Sequence, residues 1–141
     1  MSIYKIIHGV VASAVDKAVK SGALALSGDI PAFVVEPPRE AAHGDLATNI
    51  AMVLPKLTGK SPRAIAEILK PELAKDKNIA NVEIAGPGFI NIRLHPSVWQ
   101  NEISEILKSS VNYGNSDIGK GIKANVEYVS ANPTGPMHVG H

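Results

Sequence analysis

Val82-Glu83-Ile84-Ala85-Gly86-Pro87-Gly88-Phe89-Ile90-Asn91-Ile92-Arg93-Leu94 reads as two strands and the turn between them. Val82 and Ile84 alternate with Glu83 and Ala85, which is the period-2 pattern of a half-buried strand. The short Gly-Pro-Gly connection makes an antiparallel hairpin the natural expectation. In its second strand Ile90, Ile92 and Leu94 face a core, and Phe89, Asn91 and Arg93 share the opposite face. An aromatic ring, an amide and a guanidinium side by side can stack on an unpaired base, read its edge and hold a phosphate. The same pattern also fits a half-buried strand that tolerates one outward phenylalanine. On the residues alone both readings stay open.

Outward from the hairpin, the pattern is helical. Ile3, Ile6, Ile7, Val10, Val11, Ala14, Val15 and Ala18 recur at helical spacing, with Ser2 a possible cap and Gly22 just past the end. Ala32 to Val35 reads as a short strand closed by Pro37-Pro38. Asp45 suits the cap of a second helix with Leu46, Ile50, Val53 and Leu54 as its stripe, which Pro55 terminates. Ser61-Pro62 is a strong start signal for a third helix with Ile65, Ile68 and Leu69 buried, and Pro71 is expected to kink or end it. Pro96-Ser97 opens a last helix with Trp99, Ile103, Ile106 and Leu107 inward. Gly114, Asn115, Ser116, Asp117, Gly119, Lys120 and Gly121 then follow close together, the composition of a linker over residues 113 to 123.

Bulk properties exclude more than they assign. The chain of 141 residues has room for one ordinary domain. A formal net charge of +1 makes no case for a nucleic-acid partner. With no cysteine, disulfides and thiolate metal sites are excluded. The apolar stretches are too broken for a membrane span, and the N-terminus lacks a secretory core, so a cytoplasmic protein is the default expectation.

The last residues carry a different signal. Ile122 to Val129 is β-branched and precedes the loop Asn132-Pro133-Thr134-Gly135-Pro136, after which comes His138-Val139-Gly140-His141. Strand, tight turn and helix start is how an open α/β sheet receives a nucleotide. Gly140 permits close backbone approach, and His138 and His141 can donate to phosphate oxygens as charge builds in a transition state. A metal reading of the two histidines lacks a third ligand nearby, so no metal site is assigned. Glu127 is either a solvated strand residue or the partner of a cationic substrate, since a carboxylate accepts two parallel bonds from a guanidinium.

The whole run Val126 to His141 resembles the signature of bacterial-type arginyl-tRNA synthetase. Gly44-Asp45-Leu46-Ala47-Thr48-Asn49, Pro62-Arg63-Ala64-Ile65-Ala66 and Ala85-Gly86-Pro87-Gly88-Phe89-Ile90-Asn91 are similar to that family in the same order. The order of helices and strands makes the first module α+β, a small antiparallel sheet packed with helices, and the resemblance implies that residues 1–121 are the family's additional N-terminal domain. It implies that residues 122–141 begin the class I catalytic domain and end at its His-x-Gly-His motif, with the first strand of a truncated Rossmann-like sheet before the motif. The first domain would meet the tRNA D-loop through Phe89 and Asn91, and Arg93 is added on its position in the strand. Glu127, Ser130 and Asn132 would bind arginine, and His138, Gly140 and His141 would contact ATP, with the two histidines catalytic. ATP with Mg2+ and tRNA(Arg) would be the other reactants of an arginine–tRNA ligase, with nothing held by the fragment itself and the intact enzyme monomeric. Some members carry a lysine where this chain has Gly135 and Pro136. Its absence leads to the expectation of a Lys-Met-Ser-Lys type loop downstream. A free-standing tRNA-binding module and a nucleotidyltransferase fragment are the alternatives.

Overall fold

The computed structural model describes residues 2–117, 119–132 and 134–139. They fall into two compact units, residues 1–108 and 109–141.

In the first unit, the apolar stripe near the N-terminus forms α1, Ile3–Lys20, which buries Ile3, Ile7, Val11, Ala14, Val15 and Ala18. The Ser2 side chain does not cap it; only the Ser2 carbonyl takes part, accepting from the N–H groups of Lys5 and Ile6. Lys17 and Lys20 lie in the last turn, where cations suit the carbonyl end of the helix dipole.

Four strands build one antiparallel sheet: β1 Val35–Glu36, β2 Leu46–Thr48, β3 Ile79–Ala85 and β4 Phe89–Leu94, in the spatial order β1-β2-β4-β3. The hairpin is as the alternation indicates, with Val82 opposite Ile92 and Ile84 opposite Ile90. Its register shifts between Ile79 and Asn81. That irregularity explains how Ile79 and Val82, three residues apart, are both buried in one strand.

The helix expected from Asp45 onward is a correction. Leu46–Thr48 is β2, paired with β1 on one side and β4 on the other, and helix begins only at α2, Ile50–Val53. Leu46 and Ile50 are four apart and satisfy a helical period, but Leu46 and Thr48 are two apart and both buried, which satisfies a strand. The pairing with β4 decides between them. Pro55 does end α2, then serves as the first residue of the single-turn α3, Pro55–Thr58.

Helix α4, Pro62–Leu73, starts as expected: the Ser61 hydroxyl oxygen accepts the Ala64 N–H at 3.3 Å. Pro71 does not end it; the helix runs on to Leu73, because a proline so close to the C-terminus removes little of the ladder. Ile65, Ala66, Leu69 and Leu73 are buried, and α1, α2 and α4 pack together with the inner side of the sheet to close the core. The Gly86-Pro87-Gly88 turn lies against the start of α4: a Cβ on Gly88, whose φ is +152°, would stand 2.8 Å from the Pro62 Cβ.

Helix α5, Pro96–Ser109, differs from expectation in what it buries. Only Val98 is inside; Trp99, Ile103, Ile106 and Leu107 are exposed, Leu107 by 75%. The helical period placed these four on one face correctly, but nothing in the first unit covers that face.

The second unit holds a short 3-10 turn at Ser110–Asn112. Among the described residues no strand forms over 122–129, where the β-branched run predicts one. A strand is completed by the hydrogen bonds of a neighbour, and the described residues pair none with it. No helix among them is long and apolar enough to cross a membrane.

Candidate nucleic-acid interface

The outer face of the sheet is set by register. Glu36 lies opposite Ala47, Ala47 opposite Asn91, and Asn91 opposite Glu83, so one row crosses all four strands. Ala47 is the low point of that row, because its side chain is a single methyl.

The segment between β1 and β2 folds over this face and is tied there by backbone geometry. Pro37-Pro38 stiffens its start, and Ala41–His43 makes one 3-10 turn. Gly44 follows at φ +118°, with so little room that a Cβ would be 2.8 Å from the Ile92 carbonyl oxygen. Asp45 then bonds β4 twice: its N–H donates to the Ile92 carbonyl at 2.9 Å, and its carboxylate accepts the Leu94 N–H at 2.8 Å. Arg93 adds a third tie, donating from Nη2 to the Ala42 carbonyl at 3.3 Å.

Between this loop and the hairpin turn a groove of about 420 Å³ remains, lined among others by Pro38, Arg39, His43, Ala47, Phe89 and Asn91. Phe89 forms part of its wall and is 43% exposed. Asn91 is only 6% exposed, and its side chain makes no hydrogen bond with any described residue. Yet among the described residues no sealed side-chain nitrogen or oxygen lacks a partner, so the Asn91 amide is reachable from outside, where Asn91 lines both the groove and a smaller polar hollow beside it. An amide whose polar atoms stay reachable and unpaired keeps its donors and its acceptor available to a ligand. The arrangement therefore suits a ligand that supplies both a donor and an acceptor to Asn91 while lying against the Phe89 ring.

Strand alternation put Phe89, Asn91 and Arg93 on one face, and the structure keeps them there but separates their roles. Phe89 and Asn91 share the groove. Arg93 lies beside a smaller polar hollow with His43, Gly44, Asn81, Glu83 and Asn91, and one of its N–H groups is taken up by Ala42. What sequence reasoning missed is the loop wall and the Ala47 floor. The signal was Gly44-Asp45 a few residues after Pro37-Pro38, a chain reversal read as a helix start.

Elsewhere the expectations meet less structure. His8 stacks on Phe33 with ring centroids 3.9 Å apart, which makes it a packing residue of α1. Glu127, Ser130 and Asn132 are exposed, and their side chains make no hydrogen bond with any described residue. His138 is exposed as well and does have a partner. Gly140 and His141 lie outside the described residues.

Comparison with known proteins supplies the frame. The family model for the arginyl tRNA synthetase N-terminal domain matches residues 5–94, which take in the whole sheet and the groove. Arginine–tRNA ligases from Cereibacter sphaeroides, Ruegeria pomeroyi and Parvibaculum lavamentivorans are 53%, 51% and 51% identical over all 141 residues. The chain spans about a quarter of the length of these relatives, 24% of each. The groove thus sits within the matched domain, and the chain belongs to the arginyl-tRNA synthetase N-terminal domain family.

Proposed function

We propose that this chain is the N-terminal part of an arginine–tRNA ligase and that its groove receives an unpaired base from the D-loop of tRNA(Arg). The single observation that carries the reading is Asn91, an amide nearly out of solvent, without a partner among the described residues, beside an accessible phenylalanine ring. Stacking on the ring supplies affinity for any base, roughly 1–3 kcal/mol, and the amide reads the edge.

Residues 1–121 are on this reading the tRNA-contacting domain, and residues 122–141 begin the class I catalytic domain, with 122–129 as the first strand of its Rossmann-like sheet. Glu127 pairs with the guanidinium of arginine, helped by Ser130 and Asn132. His138, Gly140 and His141 lie along ATP, which Mg2+ accompanies, and the two histidines stabilise the charge that develops on the α-phosphate. The arginine carboxylate attacks that phosphorus and pyrophosphate leaves. The arginyl group then passes from the adenylate to a ribose hydroxyl at the tRNA 3′ end. The setting is the cytoplasm.

Pyrophosphate exchange by the full-length protein tests this. Exchange should require arginine, ATP and tRNA together. Exchange that proceeds equally with another amino acid would sink the assignment.

A further inference from the structure

Two arginines that base recognition does not use lie near the groove, one lining it and one bonded to the turn that forms its other wall. Arg39 stands on the loop wall and lines the groove itself. Arg63, in the first turn of α4, donates from Nη1 to the carbonyl of Gly86 at 3.4 Å, and Gly86 lines the opposite wall. Its guanidinium is thereby anchored at the rim of the hairpin turn.

We infer that Arg39 and Arg63 form a phosphate clamp, each holding one of the two backbone phosphates that flank the base in the groove. This rests on the proposal that the groove takes an unpaired base. A base that lies in the groove against Phe89, with its edge at Asn91, leaves its ribose at the mouth. The chain must then enter past one wall and leave past the other, carrying one phosphate on each side.

The chemistry of the two side chains fits that geometry. A guanidinium has five N–H donors in a planar fork that matches phosphate oxygens, and Arg63 spends one of them on Gly86. The remainder stay free to bind. Arg39 makes no ion pair or side-chain hydrogen bond with any described residue, although Glu36 at the end of β1 and Glu40 on the loop also line the groove. Those two carboxylates repel a phosphate along most of this wall. Arg39, the single arginine or lysine among the residues that line the groove, offsets them at one position, so it fixes the strand's path as well as adding affinity. The net charge of +1 hid this arrangement, because a clamp is two local cations and needs no basic field.

The test is the salt dependence of binding between this chain and an unmodified tRNA(Arg) transcript, over about 50 to 200 mM salt. Removing one cation that neutralises a phosphate reduces the slope of log K against log salt by about 0.7 to 0.9. Arg39→Gln and Arg63→Gln should each lower the slope by that amount, and the double change by about twice as much. Arg63→Lys should recover the slope, since it restores the charge. A role confined to tying down the Gly86 turn would weaken binding without moving the slope. A wild-type slope in the double variant overturns the clamp. Phe89→Ala separates this from the base-binding proposal: it should weaken binding at an unchanged slope. If Phe89→Ala is silent while the arginine variants change the slope, the base reading fails and the clamp around a base fails with it, leaving the two arginines as phosphate contacts only.

Discussion

The carboxylate of Asp45 accepts the backbone N–H of Leu94 at 2.8 Å, and that one bond joins the end of the loop wall to the end of strand β4. It gives Asp45 a role in the sheet in place of the helix cap its residue type suggests. Asp45→Ala leaves the Leu94 N–H without its acceptor and should cost about 1–3 kcal/mol of stability. Asp45→Asn keeps an acceptor oxygen and should cost less. Urea unfolding monitored by circular dichroism reads both. Equal midpoints for wild type and Asp45→Ala would show that this bond does not hold the loop to the sheet.

Gly44 and Gly9 make a matched pair for a backbone test. Gly44 combines φ +118° with a carbonyl 2.8 Å from where a Cβ would stand, whereas a Cβ on Gly9 in α1 would meet nothing within 4 Å. Gly44→Ala should destabilise by about 1–3 kcal/mol. Gly9→Ala should stabilise by roughly 0.5–1 kcal/mol, the usual gain for alanine over glycine inside a helix. Thermal melts of the two variants should therefore move in opposite directions. A shift in the same direction would show that the loop is not pinned against β4 as described.

Leu69 and Leu107 test which helix faces are buried. Leu69 is fully buried in α4, and Leu107 is three-quarters exposed on α5. Leu69→Ala should cost about 2–5 kcal/mol, from the apolar surface no longer buried and the cavity left behind. Leu107→Ala should change the unfolding free energy of this chain by less than about 0.5 kcal/mol. A large loss from Leu107→Ala would mean that the face of α5 is covered after all.

The parts of the fold that were legible are those where local chemistry and tertiary packing agree. Ser61-Pro62 starts a helix in any context, and Gly86-Pro87-Gly88 between two alternating runs forms a hairpin whatever surrounds it. Leu46-Ala47-Thr48 was misread because three residues satisfy both periods, and the pairing that decides lies more than forty positions away, in Leu46 opposite Ile92. The outward face of β4 could be read from alternation, which puts Phe89 and Asn91 on one side of the sheet. Their groove could not, since its wall is a loop held by backbone bonds that leave no periodic trace. Nor could the near-burial of Asn91 be foreseen, because alternation gives only the side of the sheet and not what folds across it. For Glu127, Ser130, Asn132 and His138 the long signature motif supports a role, and the described geometry gathers none of them into a site.

Whether Phe89 and Asn91 hold a base of tRNA(Arg), as we propose, is decided by the equilibrium affinity of this chain and its Phe89→Ala variant for that tRNA. Phe89 is exposed enough that its removal should leave the melting temperature near that of the wild type. Affinity should nonetheless fall by about 1–3 kcal/mol, roughly 5- to 150-fold in Kd. An unchanged Kd in a variant that melts like the wild type would contradict the claim.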